Sequence, residues 1–381
     1  MKVILSVEPV RYPLTGIGRY TYELALRLGQ APEIDQLHYF SGTRMLPELP
    51  HPSSQSDGSY SLKRVIQQSS LAIEAYRLLM PLLKAKSLRP WKDHLYHGPN
   101  FFLPPFSGKK VATFHDLSPF SWAHCHPAQR VGFLQKELLK TLKHADALIT
   151  DSEYVRREIA EHFSWPLERI HTVPLASSDD FRPRKEPELS ATLAKHSLVM
   201  GGYALFVGTI EPRKNLQTLL SSYSRLPISL RKRWPLVLTG YRGWRNDEIH
   251  RQIETGEREG WARYLGFVSH DDLPLLYAGA RLFAFPSLYE GFGLPVLEAM
   301  KSGVPVVCST SSSLPEVAGN AALTCEALDV DALTNALQQG LEDEIWRTEA
   351  IGNGLQNAAS FSWERCTQET IQVYEQVLRE G

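Results

Sequence analysis

Pro286-Ser-Leu-Tyr-Glu-Gly-Phe-Gly-Leu-Pro-Val-Leu-Glu-Ala-Met300 decides how this chain is read. The apolar run Leu282-Phe-Ala-Phe285 precedes it and reads as a buried strand; Gly303 and Val304-Pro-Val-Val-Cys308 follow it. Strand, glycine loop, helix and strand in that order make one βαβ unit of a parallel sheet. Pro295 suits the first helical turn, where its missing N–H would have had no intrahelical partner anyway. The amides of Phe292, Gly293 and Leu294 then fall at or just before a helix N-terminus, where unbonded N–H groups attract an anion. Gly291 and Gly293 let the backbone approach a ligand closely. Glu290 and Glu298 would repel a phosphate held there. They make chemical sense as acceptors for sugar hydroxyls, with the amides and nearby cations holding the phosphates. The bland alternative is a capped helix carrying two solvated glutamates.

Moving outward, the same alternation repeats in two halves. In the first, Val3 to Val7 reads as a strand, Pro9 to Arg19 as a loop, and Tyr20 to Leu28 as a helix with Leu24, Ala25 and Leu28 on one side. Strands at 110–114 and 147–150, helices at 131–142 and 153–163, and a short strand at 170–173 continue it. Asp179 to His196, rich in Pro, Lys and Glu and without a clear period, reads as a linker. The second half restarts at Tyr203-Ala-Leu-Phe-Val207, with further strands at 235–239, 264–268, 282–285 and 304–308. Two doubly wound parallel sheets result, with ligands expected at the carboxyl ends of their strands. Ser362 to Arg379 reads as one amphipathic helix with Ser362 as its N-cap.

Val207-Gly-Thr-Ile-Glu-Pro-Arg-Lys-Asn215 ends a strand and delivers two cations before a helix that Asn215 is placed to cap. Arg213 offers a fork to phosphate oxygens and Lys214 a point charge, beside a helix N-terminus whose field has the same sign. Gly240 and Tyr241, after the strand ending at Thr239, are placed to floor a nucleotide pocket. Ser309 to Glu316 comes after the next strand and falls near a ribose or diphosphate. Thr15-Gly-Ile-Gly-Arg-Tyr20 resembles half of a dinucleotide fingerprint. However, Thr21 stands where a small residue is needed, and no acid closes the second strand region, Leu37 to Phe40, which argues against NAD. His115, Asp116, His124, Cys125 and His126 suggest a metal site, but the single Cys has no second Cys beside it.

Glu-Gly-Phe-Gly-Leu-Pro-x-x-Glu resembles the signature of the retaining family 4 glycosyltransferases, whose fold is GT-B, and the resemblance runs through nearly the whole chain. It implies an α/β fold of two Rossmann-like domains facing a cleft: residues 1–180 on the acceptor side, 181–361 binding the nucleotide-sugar, and 362–381 as a helix crossing back. By resemblance, Glu298 holds the ribose hydroxyls and Glu290 orients the donor sugar. Phe292, Gly293 and Leu294 bind sugar and phosphate, and Arg213 with Lys214 holds the diphosphate. His115 corresponds to the family's histidine near the donor sugar, Gly16 to the loop approaching donor phosphate and acceptor, and Phe267 and Val268 to the backbone that reads the base. The matching branch is bacterial mannosyl- and rhamnosyltransferases of O-antigen assembly. It implies a GDP-linked donor, no cofactor, no metal ion, and a polyprenyl diphosphate-linked glycan as acceptor. A UDP-sugar transferase of the same fold and a non-catalytic nucleotide-sugar scaffold are the alternatives.

Bulk properties agree. At 381 residues the chain suits two domains. Its net charge of −1 argues against a general nucleic-acid binder. Four Cys without a Cys-x-x-Cys pair suggest a reducing cytoplasm, and neither a signal peptide nor a membrane span is legible. Residues 60–145 concentrate thirteen Lys and Arg against four acids, interleaved with Tyr76, Leu78, Leu79, Leu82, Leu83 and Trp91. Such a surface suits peripheral contact with an anionic membrane, or else is a solvated helix face.

Overall fold

The computed structural model describes residues 1–14, 16–51, 70–126, 128–244 and 246–380. Thr15, the Ser53–Ser61 stretch and the beginning of the basic segment, Arg64–Ser69, lie outside the described residues. Seven strands form the first sheet: β1 (Lys2–Ser6), β2 (Gln36–Ser41), β3 (Arg44–Leu46), β4 (Leu95–Gly98), β5 (Lys110–Phe114), β6 (Ala147–Thr150) and β7 (Ile170–Thr172), in the spatial order 3-2-1-4-5-6-7. Only β3 is antiparallel. Six parallel strands form the second sheet: β8 (Ala204–Val207), β9 (Leu236–Thr239), β10 (Ala262–Gly266), β11 (Leu282–Phe285), β12 (Val306–Ser309) and β13 (Ala322–Cys325), in the order 10-9-8-11-12-13. In both sheets the central strands are mostly apolar and largely buried, because helices cover both faces of a parallel sheet. Each order reverses direction beside its first strand, which is where an open α/β sheet leaves a crevice. Two such domains facing one another make the GT-B arrangement.

Seven helices build the cleft and the outer wall of the first domain: α1 (Gly16–Leu28), α2 (Ser70–Leu88), α3 (Ala128–His144), α4 (Glu153–Phe163), α5 (Leu216–Arg225), α6 (Leu294–Lys301) and α7 (Trp363–Arg379). The first begins at Gly16, not at Tyr20 as the sequence suggested. Two glycines in a first turn lose little, since the first N–H groups have no intrahelical partner to forfeit. The expected linker is partly ordered: Glu186–Lys195 is a helix, started by Pro187 in its first turn and by Glu188, whose carboxylate accepts from Lys185 N at 3.1 Å. In α7, Ser362 caps Arg365 N at 3.1 Å, and the helix packs on α1 and β6 of the first domain. There Tyr374 Oη lies 2.6 Å from His97 Nδ1, and His97 Nε2 lies 2.8 Å from Thr113 Oγ1. Thr113 in turn meets Tyr20 Oη at 3.0 Å. Burial holds the His97 ring neutral, with its pKa lowered to about 3.

Candidate active site

The glycine loop leaves β11 at Pro286 and enters α6, with Gly293 at the N-cap in a left-handed conformation (φ 121°) that a side chain would strain. Among the described residues, the N–H groups of Phe292, Gly293 and Leu294 donate to no protein acceptor. The loop's shape is fixed from behind by the segment after β12. Ser313 Oγ shares its one proton between the carbonyls of Glu290 (2.9 Å) and Phe292 (2.7 Å), and Ser312 Oγ accepts from Glu290 N at 2.8 Å. Residues 309–316 are therefore a scaffold under the loop. Rigid backing with open amides in front is the preorganised form of an anion site.

Lys214 and Arg213 reach the same loop from the turn after β8. Lys214 Nζ sits 2.6 Å from Glu290 Oε1. Arg213 Nη1 lies 2.7 Å from the Tyr289 carbonyl and 3.4 Å from Glu290 Oε2, and its Nη2 lies 2.9 Å from Glu211 Oε1. Burial would raise the pKa of Glu290, but Lys214 and Arg213 outweigh it and hold the carboxyl below its usual range. For Arg213, burial works against the charge and Glu290 and Glu211 more than restore it. Two cations and two carboxylates thus neutralise one another in the ligand-free site. Asn215 does not cap α5 as expected. It sits in the left-handed region (φ 56°), and its Nδ2 donates to the carbonyls of Pro286 (2.9 Å) and Ala327 (2.6 Å), tying the cation turn to the glycine loop.

Glu298 is one turn into α6 and lines a cleft of about 340 Å³ with Gly16, Arg19, His270, Asp271 and Leu294. Burial pushes its carboxyl up to about 8, with Tyr277 and Arg19 opposing. Burial favours the protonated form because, unlike Glu290, this carboxyl has no cation within ion-pair distance among the described residues. On the other flank, Gly240 (φ 144°) presses against the Gly208 carbonyl, where a side chain would clash. Tyr241 and Phe267 stack with centroids 4.7 Å apart and are 55% and 50% exposed. Val268 is buried and belongs to the hydrophobic core of the second domain.

His115 comes directly after β5, but its ring is occupied inside the first domain: Nδ1 lies 2.8 Å from Asp151 Oδ2 and Nε2 2.8 Å from the Pro99 carbonyl. A carbonyl only accepts, so Nε2 carries a proton, and Nδ1 faces the Asp151 carboxyl. Burial lowers its pKa, yet Asp151 turns the balance upward. What faces the glycine loop is the His115 carbonyl oxygen, against which any side chain at Gly291 would collide. The two domains meet at three further points. Ser152 Oγ donates to Gly291 O at 2.7 Å. Tyr289 Oη accepts from Leu117 N at 2.8 Å and donates to Glu158 Oε2 at 2.6 Å. Glu316 accepts from Glu153 N (2.8 Å) and Tyr154 N (2.7 Å), placing a carboxylate from one domain on the N-terminus of α4 in the other. Among the described residues no cluster of three His, Cys, Asp or Glu could hold a metal ion. His126 Nε2 bonds Ser118 Oγ at 2.9 Å instead.

Glu211, Asp151, Tyr289 and Glu316 escaped the reading of the sequence. Glu211 stands inside the Glu-Pro-Arg-Lys motif, and Asp151 ends a strand beside a second domain's loop, so both were open to inference. Tyr289 and Glu316 act across the cleft, and no sequence spacing reports that.

Comparison with known proteins agrees with this geometry. The family model described as "Glycosyltransferase Family 4" matches residues 14–176, and that described as "Glycosyl transferases group 1" matches residues 195–357. The O-antigen chain mannosyltransferase B of Escherichia coli is 48% identical over 98% of this chain and 99% of its own length. The serotype-specific mannosyltransferase WbdA of the same organism is 31% identical over 71% of this chain, which spans 34% of that protein. Among solved structures, Anabaena HepE in complex with UDP and glucose superposes with a TM-score of 0.72 (17% identity; 98% of this chain and 99% of that one). WaaG, a glycosyltransferase involved in lipopolysaccharide biosynthesis, gives 0.69 (15% identity; 97% and 99%). The chain belongs to the family 4 glycosyltransferases.

Proposed function

We propose that this enzyme transfers mannose from GDP-mannose to a hydroxyl of a lipid-linked saccharide during O-antigen synthesis, with retention of anomeric configuration. The observation that carries the reading is the 48% identity, end to end, with the Escherichia coli O-antigen chain mannosyltransferase B. The unbonded amides beside Arg213 and Lys214 support it, since they match a diphosphate leaving group. In the reaction the bond between the anomeric carbon and the diphosphate oxygen breaks, its electron pair leaving with GDP. The acceptor oxygen attacks the same face and its proton passes to the departing phosphate oxygen. Arg213, Lys214 and the amides of residues 292–294 stabilise the charge that develops on the diphosphate. Glu290 orients the sugar, Glu298 holds the ribose, and no divalent cation is required because the cations and amides do its work. The enzyme operates at the cytoplasmic face of the membrane.

A panel of GDP-mannose, GDP-D-rhamnose, UDP-glucose and UDP-galactose, read by donor hydrolysis and by transfer, tests this. GDP-mannose should be preferred by at least about tenfold, and excess EDTA should leave the rate intact. Preference for a UDP-sugar, or activity abolished by EDTA and restored by Mg²⁺, would refute the reading.

A further inference from the structure

The first turn of α4 is completed by the other domain. A helix N-terminus leaves its first N–H groups without intrahelical partners, and side chains close by usually answer them. Here Ser152, the N-cap, accepts from Val155 N at 3.3 Å and gives its own proton to the Gly291 carbonyl. Glu153 supplies no cap, because its carboxylate is turned to Arg156 (3.1 Å), Arg157 (3.0 Å) and Thr172 Oγ1 (3.1 Å). The amides of Glu153 and Tyr154 therefore depend on Glu316 of the second domain, whose two oxygens accept from them at 2.8 and 2.7 Å. Among the described residues no Lys or Arg pairs with Glu316, so these amides and the positive end of α4 hold its charge.

The segment that carries Glu316 also shapes the glycine loop. Ser312 and Ser313, just ahead of it in the chain, bond the N–H and the carbonyl of Glu290 at 2.8 and 2.9 Å. Helix α4 touches that loop once more through Glu158, which accepts from Tyr289 Oη at 2.6 Å. One helix of the first domain thus meets both the loop and the scaffold behind it. Parting the domains would return two amides and a carboxylate to water and leave the scaffold unsupported on that side.

We propose that Glu316 is a positioning residue: it clasps the N-terminus of α4 when the domains close, and the closed clasp fixes Glu290 for transfer through Ser312 and Ser313. Glu316 acts on its scaffold and not on the substrate. The proposal rests on the reading that Glu290 orients the donor sugar, and adds the contact that makes this orientation depend on closure.

The test is steady-state transfer and nucleotide titration on the whole enzyme, with the donor and nucleoside diphosphate that the donor panel selects. Glu316→Ala should lower kcat about tenfold or more, as expected for lost charge-assisted hydrogen bonds, and leave the nucleoside diphosphate Kd within about twofold. At saturating donor the wild-type advantage should shrink at least about twofold between about 0.05 and 0.5 M NaCl, because salt screens a solvent-exposed clasp. The helix offers a sharper control. Glu153 is the first residue of α4 and Ser152 before it is extended (φ −145°, ψ 157°), so proline fits at position 153 and removes one clasp donor without breaking the helix. Glu153→Pro should transfer at least about threefold more slowly than Glu153→Ala, which loses the same side chain and keeps the N–H; in the Glu316→Ala background the two should be equal. If Glu316→Ala does not fold, Glu316→Gln should still lose at least about threefold in kcat. Wild-type kcat in Glu316→Ala, a loss confined to nucleotide affinity, or the same proline penalty in both backgrounds overturns the proposal. Undiminished transfer by Glu290→Ala would instead sink the role given to Glu290, and the Glu153 pair, read in the same assay, tells that failure from a failed clasp.

Discussion

The two glycine loops of this enzyme share one local pattern and perform different tasks. Gly16-Ile-Gly18 and Gly291-Phe-Gly293 each come after a central strand and open a helix, and a side chain at Gly16 would lie 3.8 Å from Leu294 across the cleft. In the first loop the demand is internal: a side chain at Gly18 would meet the Pro9 carbonyl of the same domain at 2.8 Å, whereas Gly16 has room. In the second loop the demand comes from the other domain and from the backbone. Gly291 is pressed by the His115 carbonyl, and Gly293 adopts a positive φ. Two similar motifs thus divide the labour. One lets a helix pack against its own domain; the other lets two domains come together.

Substitutions should rank according to that division. Glu298→Ala, at the helix the second loop opens, should lower kcat/KM for the donor by about 10²–10³, the loss usual for one polar contact in a preorganised site; steady-state kinetics with full activity retained would remove Glu298 from the site. Next comes Gly291→Ala, whose added Cβ would stand 1.7 Å from the His115 carbonyl oxygen. The domains must then part by about 1 Å or more, a misplacement that costs about 10² in transfer. Its circular dichroism should stay native, and a variant that transfers normally would show the closed contact to be dispensable.

The third expectation concerns pH. Glu298 titrates near 8 in the free enzyme, so its carboxyl gains a second acceptor oxygen only above that pH. Donor affinity should therefore rise several-fold between pH 6.5 and 9 in the wild type and stay flat in Glu298→Gln. Stability moves in the opposite sense. A carboxyl held above its ordinary pKa favours the folded state at low pH, and that contribution is lost as pH rises through about 8. The Tm advantage of Glu298→Gln over the wild type should then widen from pH 5 to pH 9. A constant difference would mean that the group ionises normally.

Within the first loop, Gly18→Ala should destabilise the protein by about 1–3 kcal/mol through overpacking, with kcat nearly unchanged, as urea unfolding would report. Gly16→Ala should shift stability by no more than about 1 kcal/mol in either direction. A loss of turnover at Gly16 larger than at Gly291 would reverse the comparison.

Much of the fold was legible because parallel strands buried on both faces announce themselves as unbroken apolar runs, as Leu282–Phe285 and Tyr203–Val207 do. The meeting of the glycine loop with Arg213 and Lys214 was legible in kind, since both segments come at strand ends of one parallel sheet. What escaped was pairing. Nothing in the spacing said that Glu290 would neutralise Lys214, that the His115 ring would turn to Asp151, or that Asn215 would tie two loops together instead of capping α5. Those outcomes depend on which strand ends lie side by side, and the sheet order 10-9-8-11-12-13 is a tertiary fact. Helix boundaries slipped for a simpler reason. Gly16 and Pro187 read as breakers, yet both stand in first turns, where breakers are tolerated.

The bond between His97 and Tyr374 joins residues 277 positions apart. At a synthesis rate of about 5–20 residues per second, roughly 15–55 s pass between the emergence of the two on the ribosome. Through that interval His97 has no tyrosine to meet, and from Thr172 onward the first domain has its sheet but lacks the last helix that seals it. The domain made first is thus the one completed last. A nascent chain stalled between Cys325 and Trp363 would expose the flank that α7 covers, and quality-control machinery would see an unfinished enzyme even though all thirteen described strands had already been made.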